Sequence, residues 1–488
     1  MRRALGLLAA TLCALAGAAA QEADAPAEPL ISAPLMPEDV AASAARHYPE
    51  VVAALAGRDA AAGALLSARG AFDTVFSVET YSRVTGFYDG QFVETKVERA
   101  FGPGGAKAFG AYRLSDGDFP TYEDELFTNQ SGELKVGVLF SLLRDRLIDS
   151  RRFGITDARL AARQADLELL LTRIGVQRRA LLAYYAWVEA GQELGVYRDL
   201  LDLAETRQAA LTREVERGAR ARIVLTENAQ NLTRRRVFVE QAERDLLLAG
   251  NALSLYLRGP DGAPRVPGAE RLPDAVPAPP PLAEADLPAV LAARPDLGIL
   301  RTALARARGR LDLAENALRP RLDLGVEAGQ DLGPIDQDAG FSRDQGEVIL
   351  GLTFELPLAN RAARGQRAGA RAALRRAEAE ARLARDRIEA EIRDVVVSVE
   401  AAERLVVLAT QEVEQAEAMR AAEARRFRSG ASDFFLVNLR EQALADARIR
   451  LALAQLNLQA ARTTYDAAVL DEGRLGLTGA TPGLLTGP

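Results

Sequence analysis

Histidine and cysteine, which serve most often as metal ligands and as activated nucleophile or base, are nearly absent from this chain. It has one histidine, His47, and one cysteine, Cys13. A metal site needs three or four ligands brought together, so a lone His47 reads as a helix-surface residue. No nucleophile–base pattern and no phosphate-cradling glycine loop occurs. No enzyme is read here, and no cofactor or metal is expected. What remains is charge chemistry at two glycines. Arg217, Arg220 and Arg222 surround Gly218, and Ser429, Ser432 and Asp433 surround Gly430.

The elements that carry these glycines are long. Gly365 to Leu470 reads as one helix, a break at Arg428-Ser429-Gly430, and a helix running back. Between Gly365 and Phe427 there is no proline, and Gly369 is the one internal glycine. Ala, Arg, Glu and Leu fill the run, and these are strong helix formers. Sixty-odd helical residues span about 90 Å. The same design occurs earlier: Ile155 to Glu216, a break at Arg217-Gly218-Ala219, and a return from Arg222 to Leu257. Such a chain is organised around length and not around a pocket.

The N-terminus has a basic start at Arg2-Arg3, an apolar core over Ala4 to Ala16 and small residues up to Ala20. This pattern predicts a secretory signal peptide over residues 1–20, cleaved near Ala20. Cys13 falls inside it, so the mature chain should hold no disulfide. An extended Ala/Pro-rich segment follows over 21–36. The formal charge is −7, or about −9 without the two signal arginines, and an acidic chain does not attract nucleic acid. Arg234-Arg235-Arg236 therefore reads as a solvated helix face. Trp187 with Tyr184 and Tyr185 reads as helix packing.

A helix is predicted from Pro37 to about Arg69. Strand periodicity follows within 72–142. Phe72 to Thr80, Val93 to Val97 and Leu134 to Leu142 alternate apolar with polar residues, and Ala106 to Leu114 is a weaker fourth run. The acidic loop Asp116 to Glu125 lies between. The later half repeats this plan, with a helix over Pro295 to Leu318, alternating strands within 322–356 and the second hairpin over 365–470. Tyr48-Pro49-Glu50 corresponds to Arg294-Pro295-Asp296, and Val138-Leu139-Phe140 to Leu352-Thr353-Phe354. The domain plan is repeat one over 37–258, a semi-rigid linker over 259–288 with nine prolines, repeat two over 289–471, and a tail over 472–488. Each strand has one apolar face: Val136, Val138 and Phe140 in one, Val348, Leu350, Leu352 and Phe354 in another. In water this is a half-buried antiparallel sheet, and in lipid it is a barrel segment. One chain has too few strands to close a barrel, so several copies would have to pool theirs.

The duplicated plan, the strand–helix junction from Phe354 through Pro357-Leu358 to Arg361, and the stretch Arg425 to Ala443 resemble the TolC-type outer-membrane efflux proteins over nearly the whole mature chain. The resemblance implies an α+β membrane protein. It would be a homotrimer whose pooled strands, four or six per chain, form one transmembrane β-barrel in outer-membrane lipid, continued by a periplasmic α-helical coiled-coil tunnel. It further implies a passive conduit for efflux or type I secretion. The tunnel tip, with Arg217, Gly218, Arg220, Arg222, Ser429, Gly430, Ser432 and Asp433, would dock onto a periplasmic adaptor (a membrane fusion protein) and through it an inner-membrane pump of RND or ABC type. Two departures stand out. Phe92 to Leu114 leaves room for an extra hairpin, which would widen the family's usual twelve-stranded barrel. Leu436 and Leu439 occupy positions where relatives often carry axial carboxylates, so an apolar gate is expected, with Asp433 as a carboxylate one turn earlier. The scarcity of Met and His gives no support to copper or silver as cargo. The rival reading is a periplasmic coiled-coil adaptor or structural protein with a soluble β-domain.

Overall fold

A computed structural model of the chain describes residues 33–275, 277–282, 286–334 and 345–477. The expected signal peptide with Cys13, the extended segment up to residue 32 and the tail from residue 478 lie outside the described residues.

The first helix expected from the sequence is in fact two, α1 (Pro37–His47) and α2 (Pro49–Arg69). The break is at Tyr48, whose backbone is extended, because the ring of a following proline disfavours the helical region for the residue before it. The second half breaks in the same way. Arg294 separates α5 (Leu287–Ala293) from α6 (Pro295–Asn316). By length and composition Pro49–Phe72 could also cross a membrane, but α2 packs along the first long helix.

Six strands form one antiparallel meander: β1 (Val75–Ser82), β2 (Gln91–Ala100), β3 (Lys107–Asp116), β4 (Glu133–Ser141), β5 (Arg321–Asp331) and β6 (Glu347–Glu355). The weak fourth run is thus a full strand, and β2–β3 is the extra hairpin. It lies in line within the sheet, between the strands expected to be neighbours. β1 and β6 each have one unpaired edge.

The register sorts the residues by face. Phe76, Val97, Gly110, Val136, Ala328 and Val348 form one row across all six strands. Ala108, Val138, Val326 and Leu350 form the next row, then Phe140, Leu324 and Leu352, then Leu322 and Phe354. The seven residues proposed from alternation therefore share one face, which follows from the two-residue side-chain period.

The helical hairpins begin a few residues earlier than the sequence suggests. Helix α3 (Ser150–Glu216) starts where the Asp149 carboxylate accepts the Arg152 N–H at 2.8 Å, a side-chain cap for an otherwise unpaired donor. Helix α7 (Arg361–Arg428) starts after Asn360, which is left-handed at φ 43°. The return helices are α4 (Ile223–Ser254) and α8 (Phe434–Val469). With 67 and 68 residues, each long arm reaches about 100 Å. The 36-residue α8 and 22-residue α6 both pack along α7, and α4 and α2 both pack along α3.

At the distal level the helices lie side by side in the order α4–α3–α8–α7, and nearer the sheet in the order α2–α3–α6–α7. The result is a wall. Its core lies on α3, where Val176, Ala180, Tyr184 and Trp187 pack with Val51, Leu246 and Leu253. Helix α7 is a lateral edge, burying seven of its 68 residues. The Pro-rich segment is a strap across the wall. Pro277 O accepts from Gln459 Nε2 at 2.9 Å, and Leu272 occupies the space left by Gly191.

Candidate functional site

The two breaks lie together at the end of the wall remote from the sheet. Both long helices end in the same hydrogen-bond pattern. Gly218 N–H donates to Val215 O at 3.0 Å and Ala219 N–H to Glu214 O at 2.9 Å, while Gly430 N–H donates to Phe427 O at 3.1 Å and Ala431 N–H to Arg426 O at 2.9 Å. This is the Schellman closure, which needs a left-handed residue one step past the helix end. Gly218 and Gly430 supply it at φ 70° and 75°. Space is not the constraint, because nothing lies within 4 Å of a Cβ built on either. The backbone angle is. Gly430→Val should add about 1–3 kcal/mol of local strain while leaving the distant sheet intact. The sheet should form unchanged, while trypsin cuts faster at Arg428. An unchanged cleavage rate would count against the need for a left-handed residue at 430.

The sequence-derived tip residues do not all remain free. Arg217 and Arg222 are exposed. Arg220 pairs with Glu214 at 2.5 Å and lies over the Phe427 ring at 4.6 Å, so it ties one hairpin turn to the other. Ser429 Oγ donates to Arg426 O at 2.9 Å, and Ser432 Oγ donates to the Glu423 carboxylate. Asp433 caps α8, with Oδ1 accepting the Leu436 N–H at 2.8 Å. One oxygen of the carboxylate suggested for an axial ring is thus held at its own helix start. Leu436 is half-buried and Leu439 exposed. Phe435, one turn before Leu439, is 70% exposed. It went unnoticed in the sequence, where an aromatic at a helix start reads as core.

Above the tip lies a buried ionic cluster that sequence reasoning missed. Arg235 is 1% exposed and Glu441 4%. Glu441 Oε2 accepts from Arg235 Nη2 at 2.9 Å, and its other oxygen pairs with Arg207. Arg207 Nη1 also donates to Asn438 Oδ1 at 2.9 Å. Burial pulls the Arg235 guanidinium below its ordinary pKa, opposed by the hydrogen bond and charge of Glu441. The solvated-face reading of Arg234-Arg235-Arg236 is therefore corrected. Arg234 and Arg236 are exposed, but Arg235 turns into the seam between α4, α3 and α8. Tyr184 and Trp187 are core, as expected, with Tyr184 OH donating to Leu35 O at 2.8 Å. Burial also pushes the neighbouring Tyr185 phenol up to about 12.

At the other end, the sheet has two unlike faces. Val348, Leu350, Leu352 and Phe354 are each exposed by well over half, Val136 and Phe140 are exposed, and Val138 is half-buried. The opposite face is charged. It holds all three lysines of the chain, Lys96, Lys107 and Lys135. Arg113 pairs with Glu94 at 2.6 Å and Lys135 with Glu133 at 3.2 Å, and the Lys96 ammonium lies over the Phe109 ring at 5.0 Å. Phe109 in turn fills the space beside Gly137. One face of the sheet is thus apolar and open in the single chain, and the opposite face is ion-paired.

Residues 287–469 match the family model described as outer membrane efflux protein. Over 89% of the chain the fold is similar to that of the Campylobacter jejuni CmeC outer membrane channel, with TM-score 0.62, 12% identity and 85% of that chain covered. It is likewise similar to the outer membrane protein VceC from Vibrio cholerae, with TM-score 0.60, 18% identity and 95% of that chain covered. The Neisseria gonorrhoeae MtrE outer membrane channel gives TM-score 0.61 at 13% identity, with 88% of that chain covered. No curated protein matches the chain in sequence. Residues 287–469 are thus similar in sequence to the outer membrane efflux proteins, and the fold is similar to that of solved outer-membrane channels. The resemblance read from the sequence holds, by family model over residues 287–469 and by fold over 89% of the chain, and the adaptor reading is not favoured.

Proposed function

We propose that this protein is the outer-membrane channel of a tripartite efflux or type I secretion system, working as a homotrimer. The observation that carries the assembly is the pair of open lateral edges. One edge of the chain is β1, α2 and α4, and the other is β6 and α7. Both faces of β1 and β6 are exposed, and so are Val237, Leu247 and Leu248 of α4 and Val397, Leu405 and Leu408 of α7. A second copy set edge to edge would pair β6 with β1 and cover these apolar residues, and three copies would close the ring. Six strands each would make an eighteen-stranded barrel, a size that leaves an aqueous channel. In this reading Val136, Val138, Phe140, Val348, Leu350, Leu352 and Phe354 face lipid, and the charged face lines the bore. The duplicated plan then supplies two hairpins per chain to the periplasmic tunnel.

The tip would engage a periplasmic adaptor through Arg217, Gly218, Arg222, Ser429 and Gly430, and through it an inner-membrane pump of RND or ABC type. Passage would be passive, with the pump supplying the energy. Detergent-purified protein is expected to be a trimer by light scattering and to conduct in planar bilayers. A stable water-soluble monomer would overturn the assignment.

Phe435, Leu436 and Leu439 would line the constriction, which closes by packing and dewetting. Multivalent cations added on the periplasmic side should block the channel weakly, and Leu436→Asp should create a block. Strong block of the unmodified protein, abolished by Asp433→Asn, would show that a carboxylate ring gates the tip after all.

A further inference from the structure

The chain is acidic overall, but its tip is not. Residues 213–222 and 423–433 hold seven arginines against four carboxylates, Glu214, Glu216, Glu423 and Asp433. Three of those carboxylates are already engaged. Glu214 holds Arg220, Glu423 lies 3.4 Å from Arg426, and Asp433 caps α8. Arg213, Arg217, Arg222, Arg425 and Arg428 are exposed and have no carboxylate partner among the described residues.

Helix electrostatics account for part of this set. Arg213, Arg425 and Arg428 sit in the last turns of α3 and α7, where cations are favoured by the carbonyl end of the helix. Arg222 does the opposite. It is the N-cap of α4 and offers no side-chain cap, and a cation at a helix N-terminus is disfavoured by the exposed N–H groups. The equivalent position of α8 carries Asp433, which does cap. One hairpin turn thus has the local optimum and the other a charge that works against its own helix. Fold stability does not explain that choice, whereas an external anion does.

Resting on the channel reading, we infer that the tip is a docking surface for an acidic partner: an adaptor hairpin whose own tip carries a surplus of aspartate and glutamate. Three copies would repeat the unpaired arginines around one ring and sum their fields, raising the on-rate for an acidic tip and repelling a basic one. The basic crown then selects among adaptors, while the break glycines only shape the surface.

The test uses the full-length trimer in nanodiscs and one purified periplasmic adaptor of the membrane-fusion class. The adaptor is made in two forms, with its exposed tip residues all glutamate or all arginine. By biolayer interferometry at 50 mM NaCl the glutamate form should bind at least about tenfold tighter, and the difference should collapse at 500 mM. The channel variant R217Q/R222Q/R428Q should lose the preference, its folding checked by trimer heat-stability. Equal binding of both adaptor forms, or a preference unchanged in the variant, would overturn the inference. So would salt-sensitive binding to phosphatidylglycerol vesicles with neither adaptor form bound, since the crown would then face a membrane. Bilayer conductance of the unmodified protein reports separately on the channel reading, so failure of one is told from failure of the other.

Discussion

Glu441→Leu is expected to destabilise the folded chain by about 3–5 kcal/mol, the range for removing one member of a buried ion pair. The change deletes the shared carboxylate of Arg207 and Arg235. Arg207 can fall back on Asn438 and the Phe434 ring, 5.6 Å from its guanidinium. Among the described residues Arg235 then keeps only the Leu200 carbonyl as a hydrogen-bond partner, and a buried cation without a counter-charge is costly. Glu441→Gln should give a similar loss, since the amide keeps the shape and removes the charge. The double variant R235M/E441L should recover most of the loss, because apolar side chains of similar volume often replace buried ion pairs without penalty. The comparison is Glu412→Gln, which breaks the exposed pair with Arg450 at 2.6 Å and should change stability by less than about 1 kcal/mol. Thermal unfolding of the detergent-purified protein, followed by circular dichroism, measures all four. Equal effects at Glu441 and Glu412 would contradict the buried cluster.

Leu350→Arg should cost roughly 2–4 kcal/mol of insertion free energy if the apolar face meets lipid near the bilayer midplane. Leu350 lies in the row of Ala108, Val138 and Val326, and is 72% exposed. In water such a change would be close to neutral, so the size of the effect reports on the surroundings. The control is one residue away. Gly351 points to the opposite face and has open space where a side chain would go, so Gly351→Arg should be milder. Gly137 is not an equivalent control, because Phe109 fills its space. Folding into lipid vesicles, read by heat-modifiable gel mobility, separates these outcomes. Equal tolerance at 350 and 351 would remove the lipid-facing assignment.

Local features carried most of the architecture. The long arms were legible because helix propensity accumulates residue by residue, and their ends because glycine supplies the left-handed step at Gly218 and Gly430. The strand faces were legible because side chains alternate strictly, so Val348 to Phe354 needed no partner to be sorted. The break at Tyr48 was available in the sequence too, in the proline that follows it. The weak strand Lys107–Asp116 was harder to read, since Gly110 and Ala111 blunt its alternation.

Phase and pairing were decided by the tertiary structure. Arg234, Arg235 and Arg236 are chemically identical, and successive helix positions differ by a rotation of about 100°. Which of the three enters the core depends on where α8 lies, and Glu441 is 206 residues away from Arg235. The tip follows the same rule. Asp433 and Arg220 both read as exposed charges, yet one closes the start of its own helix and the other rests on Phe427 of the second hairpin. The sequence alone determined the lengths, the breaks and the two faces, because each depends on neighbours along the chain. Which charges are engaged and which are left free for a partner depends on neighbours across it, so only the packed hairpins decide that.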